Sequence, residues 1–118
     1  MTIKDVVNLL EAEVICGTEH LEKPVHNACG SDMMSDVLAF VKDQSLLITG
    51  LCNPQVIRTA EMMDIICVCF VRGKMPDESM VDLAKERGIT LMCTNMRMFT
   101  ACGTLYEKGL GRGASKCV

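Results

Sequence analysis

Aromatic side chains are nearly missing from this 118-residue chain, which has three Phe, one Tyr and no Trp. Their scarcity removes the stacking platforms on which single-stranded nucleic acids are held. A basic excess is missing too: 12 Lys and Arg face 15 Asp and Glu, for a formal net charge of −3. Gripping a phosphate backbone needs a basic face, so nucleic acid is excluded as the main partner. There is no long apolar run. The longest, Ile65 to Val71, falls far short of the about 20 residues that cross a bilayer as a helix. No Cys-x-x-Cys pair occurs among the eight cysteines, and structural metal sites normally use pairs that tight. No G-x-x-x-x-G-K-[ST] string occurs either, which excludes a P-loop. The opening Met1-Thr2-Ile3-Lys4-Asp5 brings an acid early and no apolar stretch of a signal peptide. The expectation is a cytoplasmic chain with reduced thiols.

What is present is apolar and small. Hydrophobic residues make up 49% of the chain, which excludes global disorder. With so few aromatics, the core must be built from Val, Ile, Leu, Met and Cys. The ten methionines and most of the cysteines read as soft core filling. A chain of this length is one domain. It buries about two-thirds of its unfolded surface and needs no staple to fold.

Local signals order the elements. Thr2 caps a helix, with Asp5 three residues on and Ile3, Val6, Val7 and Leu10 along one face. Glu13 to Cys16 is a short strand closed by Gly17, and Val25 to Cys29 a second. Gly30-Ser31-Asp32 turns into a helix from Met33 to Lys42, capped by Ser31 or Ser35. Ser45 to Thr49 is a buried strand ended by Gly50. Asn53-Pro54 starts a helix with Val56, Ile57, Ala60 and Met63 inside. Ile65 to Val71 is the central strand, apolar throughout as a parallel strand covered on both faces should be. Pro76-Asp77-Glu78 opens a helix with Met80, Leu83, Ala84 and Arg87 inside, stopped by Gly88. Ile89 to Cys93 is the last strand. Thr94 or Asn95 caps the last helix, with Phe99, Cys102, Gly103 and Tyr106 on its inner face and Gly109 at its end. Alternating strands and helices predict an α/β fold in three layers: a mostly parallel sheet of about five strands flanked by helices. The domain is expected over 1–109, with a flexible tail over 110–118.

Cys67 and Cys69 share one face of the central strand and read as core atoms. Cys29, Cys52 and Cys93 instead fall at strand ends that lead into helix starts. Ligands bind at the carboxyl ends of parallel strands, and helix N-termini favour the thiolate. These three are therefore the candidate metal, iron–sulfur or redox residues. The loops Gly30-Ser31-Asp32 and Gly50-Leu51-Cys52-Asn53 each place Gly before a helix N-terminus, whose N–H groups can hold an anion. Gly30, Ser31, Asp32, Gly50, Cys52 and Asn53 are the candidate residues for a nucleotide or small anion, with Arg58, Arg72 and Lys74 as added positive charge. Ordinary capping turns are the plainer reading of both loops. No residue set points to catalysis, and no cofactor is expected. The Gly109-Leu110-Gly111-Arg112-Gly113 string follows a helix and fails the strand–loop–helix test.

The linear pattern resembles the DRTGG domain, a fold similar to the N-terminal domain of HPr kinase/phosphorylase. The resemblance rests on Thr2-Ile3-Lys4-Asp5-Val6-Val7, Glu13-Val14-Ile15-Cys16-Gly17 and Ser31-Asp32-Met33-Met34-Ser35-Asp36-Val37-Leu38. Asn53 to Ala60, Pro76-Asp77-Glu78 and Phe99 to Leu105 continue it. The Asp-Arg-Thr-Gly-Gly string that names the family is absent. Gly50-Leu51-Cys52-Asn53 stands where relatives often carry Gly-Asp-Arg. The resemblance implies a non-enzymatic regulatory or interaction module, usually a homodimer and open to a protein partner; the nucleotide or small anion is expected from the two glycine loops, not from the resemblance. The family is found fused to CBS domains in regulatory pyrophosphatases. Its small stand-alone members tend to come from anaerobes, so the alternative is a thiol-based redox or iron–sulfur accessory protein in anaerobic metabolism.

Overall fold

The computed structural model describes residues 1–40 and 44–110. The elements follow the expected order: α1 (Ile3–Leu10), β1 (Glu13–Cys16), a 3-10 turn (Thr18–His20), β2 (Asn27–Gly30), α2 (Met34–Phe40) and β3 (Ser45–Thr49) come first. Then come α3 (Pro54–Met62), β4 (Ile65–Phe70), α4 (Glu78–Arg87), β5 (Thr90–Cys93) and α5 (Met98–Glu107). The strands form one sheet in the order β1-β5-β4-β3-β2. β2, β3, β4 and β5 run parallel, and β1 lies antiparallel to β5 at one edge. The crossovers leave every parallel strand with its carboxyl end on the same side, which is where the site will sit.

Period-2 alternation divides the strand residues between two cores. Leu47, Val68, Phe70 and Leu91 face Val37 of α2, Val56, Ile57 and Ala60 of α3, and Met80 and Ala84 of α4. Leu46, Ile48, Cys67, Cys69 and Met92 face Ile3, Val6 and Leu10 of α1 and Ala101 and Leu105 of α5. The result is three layers, and the shared face of Cys67 and Cys69 is a core face, both being fully buried.

The helix ends are built as the sequence signals require. Thr2 and Asp5 form a reciprocal capping box: Thr2 N–H donates to Asp5 Oδ2 at 2.8 Å, and Asp5 N–H to Thr2 Oγ1 at 3.2 Å. Asn53 caps α3 and Asp77 caps α4, whose far end turns on Gly88 at φ +72°. Gly17, at φ +88°, closes β1 against Thr90, where a Cβ would stand 2.7 Å from the Thr90 Cα.

Several expectations are corrected. β2 begins at Asn27, because Val25 is drawn to the N-terminus: its N–H donates to Met1 O at 2.7 Å and its side chain packs on α1. α2 begins at Met34, and the expected end at Lys42 lies outside the described residues. Thr94 does not cap α5. Its hydroxyl donates to Leu10 O at 2.7 Å and accepts Met96 N–H at 3.2 Å, and the helix starts beyond both Thr94 and Asn95, with Arg97 as N-cap. Arg87 is not an inner residue of α4; it is exposed and pairs with Glu61 at 3.3 Å. The inner face of α5 is Ala101 and Leu105, with Met98 and Cys102 partly buried beside them. Phe99, expected inside, is 88% exposed. Leu110, expected in the tail, is buried on the α1–α5 side of the sheet, while residues 111–118 lie outside the described set.

Candidate functional site

The loops after β2, β3, β4 and β5 meet at the carboxyl edge of the sheet. Asp32, after β2, ties the first two together. Its Oδ1 accepts Gly50 N–H at 2.6 Å and the Thr49 hydroxyl at 3.1 Å. Thr49 Oγ1 in turn accepts Leu51 N–H at 3.1 Å. Ser31 Oγ accepts Met33 N–H at 3.0 Å, and Asn53 Oδ1 accepts Gln55 N–H at 2.8 Å. Ser31, Asp32, Gly50 and Asn53, all nominated by the sequence, are thus held along this edge by backbone contacts. Each polar side chain already serves a main-chain donor, which fixes the loops.

The loop after β4 adds charge. Arg72 has φ +56°, and Gly73 follows at φ +70°. Arg72 N–H donates to Met96 O at 2.8 Å and Gly73 N–H to Thr94 O at 2.9 Å, which anchors the turn to the loop after β5. The left-handed conformation disfavours a residue with a Cβ, and here it accompanies a specific placement. The Arg72 guanidinium lies over Gly50, where a Cβ would collide with it and would stand 3.5 Å from Asp32 Oδ1. Among the described residues the acid–base side-chain contacts are Glu19 with His20 and Glu61 with Arg87, so no described carboxylate is in ion-pair contact with Arg72. Sequence reasoning names Arg72 only as a source of charge and misses Thr49. A strand-ending threonine and an Arg-Gly pair at a sheet's carboxyl edge are the signals that point to them.

The thiols depart from expectation. Burial pushes the Cys29 and Cys52 thiols up, with Lys74 only partly opposing this at Cys52. Cys93 is pushed up to about 11 by burial, then by Cys52 and Glu13. Desolvation outweighs any pull from the helix termini, so the thiolate is disfavoured at all three. Nor do the three share an ion. β3 and β4 separate β2 from β5, and strands about 4.8 Å apart put Cys29 and Cys93 roughly 14 Å apart across the sheet. Among the described residues no group of three or more His, Cys, Asp or Glu can hold a metal ion. No described helix is long and apolar enough to cross a membrane.

A separate pocket of about 410 Å³ opens between the free edge of β2 and α5, with Gly30, Ile48, Phe99, Cys102, Gly103 and Leu105 in its wall. An inner face of Phe99, Cys102, Gly103 and Tyr106 turns α5 the wrong way and hides this surface. The unbroken apolar stripe Met98, Ala101, Leu105 is the better guide to the buried face.

The family model for the DRTGG domain matches residues 5–107. The chain belongs to the DRTGG domain family. A solved structure of the CBS and DRTGG domains of the regulatory region of Clostridium perfringens pyrophosphatase, complexed with its activator diadenosine tetraphosphate, is similar in fold. The two superpose with a TM-score of 0.72 at 19% identity, over 88% of this chain and 45% of that one. This DRTGG chain therefore spans less than half the length of that protein. No curated protein sequence matches it.

Proposed function

We propose that this DRTGG domain is a non-catalytic regulatory module of the cytoplasm that self-associates and takes a nucleotide or small anionic ligand at the carboxyl edge of its sheet. The observation that carries the reading is the Arg72 guanidinium, laid over Gly50 without a carboxylate partner among the described residues. Guanidinium groups match phosphate oxygens in two-point geometry. Lys74 on the same loop and the start of α3 add positive potential. The related regulatory region was solved with a dinucleotide polyphosphate, an anion of this class. The non-catalytic part has its own support. Asp32, Ser31 and Asn53 are committed to backbone donors, and the nearby thiols are held protonated.

A thermal-shift screen with ATP, diadenosine tetraphosphate and acetyl phosphate tests the ligand. A ligand at 100 times its Kd adds about 2.7 kcal/mol, which raises the melting temperature of a domain this size by roughly 10 °C. The shift should vanish in Arg72→Ala. No shift with any of the three, or one unchanged in Arg72→Ala, defeats the assignment.

A further inference from the structure

We propose that the face formed by α5 and the free edge of β2 receives a second copy of this chain, with Phe99 of each copy entering the notch at Gly103 of the other. This rests on the self-association in the function proposed above and assigns its surface. Phe99 is one of only three Phe in the chain, yet it is 88% exposed. Tyr106, the only Tyr, is 58% exposed on the same helix. A chain this poor in aromatics has placed half of them in solvent, beside an apolar pocket of about 410 Å³.

The surface carries both halves of its own complement. Phe99 projects, while four residues on, one helical turn away, Gly103 leaves open space: a Cβ there would meet nothing within 4 Å. A two-fold interface requires one patch to match itself. For two antiparallel α5 helices with the axis at the level of residue 101, position 99 of one copy faces position 103 of the other. Both contacts form together, ring into notch. The glycine lets the backbones approach as closely as the ring requires.

Charge and area agree. Glu107, at its very end, is the only charged residue of α5, and interface centres are depleted of charge and enriched in aromatics. The two exposed rings offer roughly 300 Å² per copy. That is over a third of the about 800 Å² per partner that a stable interface buries, and the pocket wall extends the contact. Strand addition fits less well, because Ala28 N–H on the edge strand is already taken by Asn27 Oδ1 at 2.9 Å.

Sedimentation equilibrium of the full chain at tens of micromolar tests this with two variants. Phe99→Glu removes the ring from an exposed position and should give a folded monomer whose melting temperature, unlike that of the wild type, does not rise with protein concentration. Gly103→Leu fills the notch, removes a helix-interior glycine and should give a folded monomer at least as thermostable as monomeric Phe99→Glu. A wild-type dimer that survives both substitutions overturns this face but leaves self-association standing. Loss of the dimer in only one variant overturns the ring-and-notch register. A wild-type monomer overturns both. A monomer whose Cys102 becomes open to alkylation only after removal of residues 111–118 assigns the groove to that segment instead and also overturns the proposal.

Discussion

Replacing Gly50 with alanine separates ligand binding from folding. Gly50 does not have a positive φ, so its backbone accepts alanine without strain. The added Cβ falls on the Arg72 guanidinium, the far end of a flexible and exposed side chain. That end must swing away. The stability cost is offset by the lower chain entropy of alanine in the unfolded state, about 0.4–1 kcal/mol. The net stability change should stay within about 1 kcal/mol. Binding should not escape so lightly. A hydrogen bond to a charged group contributes about 1.5–3 kcal/mol, and exposure of Arg72 argues for the low end. Removing one such hydrogen bond lowers affinity about tenfold. Isothermal titration with ATP, beside chemical denaturation of the same variant, reads both quantities. Equal affinity in Gly50→Ala refutes the placement of the ligand over Gly50. A destabilisation above about 3 kcal/mol refutes the argument that Arg72 yields.

Gly17 should behave in the opposite way. At φ +88°, with a Cβ meeting the Thr90 main chain at 2.7 Å, Gly17→Ala should destabilise by about 3 kcal/mol or more in urea denaturation, and a change under about 1 kcal/mol would contradict the packing of β1 on β5. Acid should loosen the starts of α1 and α4. The Thr2 N–H holds the Asp5 carboxyl below its ordinary 3.8, and the Ser79 hydroxyl and Met80 N–H do the same for Asp77. With folded values below unfolded ones, the unfolded chain binds more protons. The contribution is full above the unfolded value and is lost as pH falls below about 3.8 through the folded values. Amide exchange at the two helix starts should accelerate there, and Asp77→Asn should flatten the response at α4. Iodoacetamide at pH 8 should leave Cys67 and Cys69 unlabelled in the native state. Burial pushes both thiols up, Cys69 to about 12. Labelling of either without unfolding would contradict the two-sided core.

Much of the fold was legible because its signals are local. The Thr2–Asp5 box, the Asn53-Pro54 start and the Gly88 stop each act within a turn or two of chain. The apolar run through β4 announced a central strand for the same reason. The errors came where distant contacts overrode local ones. Thr94 bonds the Leu10 carbonyl, 84 residues away, as well as Met96 N–H, and α5 starts only at Met98. Val25 left its strand for the N-terminus. Along α5 two apolar stripes competed, and only the position of the sheet decided between them.

The candidate site divides in the same way. The sequence alone determined the order of strands and helices, the bare carboxyl edge with its glycines, and the loops that would lie there. These follow from propensity, capping and periodicity, which any segment carries with it. The tertiary structure alone decided that Asp32 would clamp Gly50, 18 residues on, that Arg72 would lie over the same glycine, and that Phe99 would face out rather than in. It also decided that burial would push up the thiols of Cys29, Cys52 and Cys93, and that Cys29 and Cys93 would lie on strands too widely spaced to share an ion. Those outcomes depend on distances between chain segments and on the solvent each group loses, and neither is written in the neighbourhood of a residue.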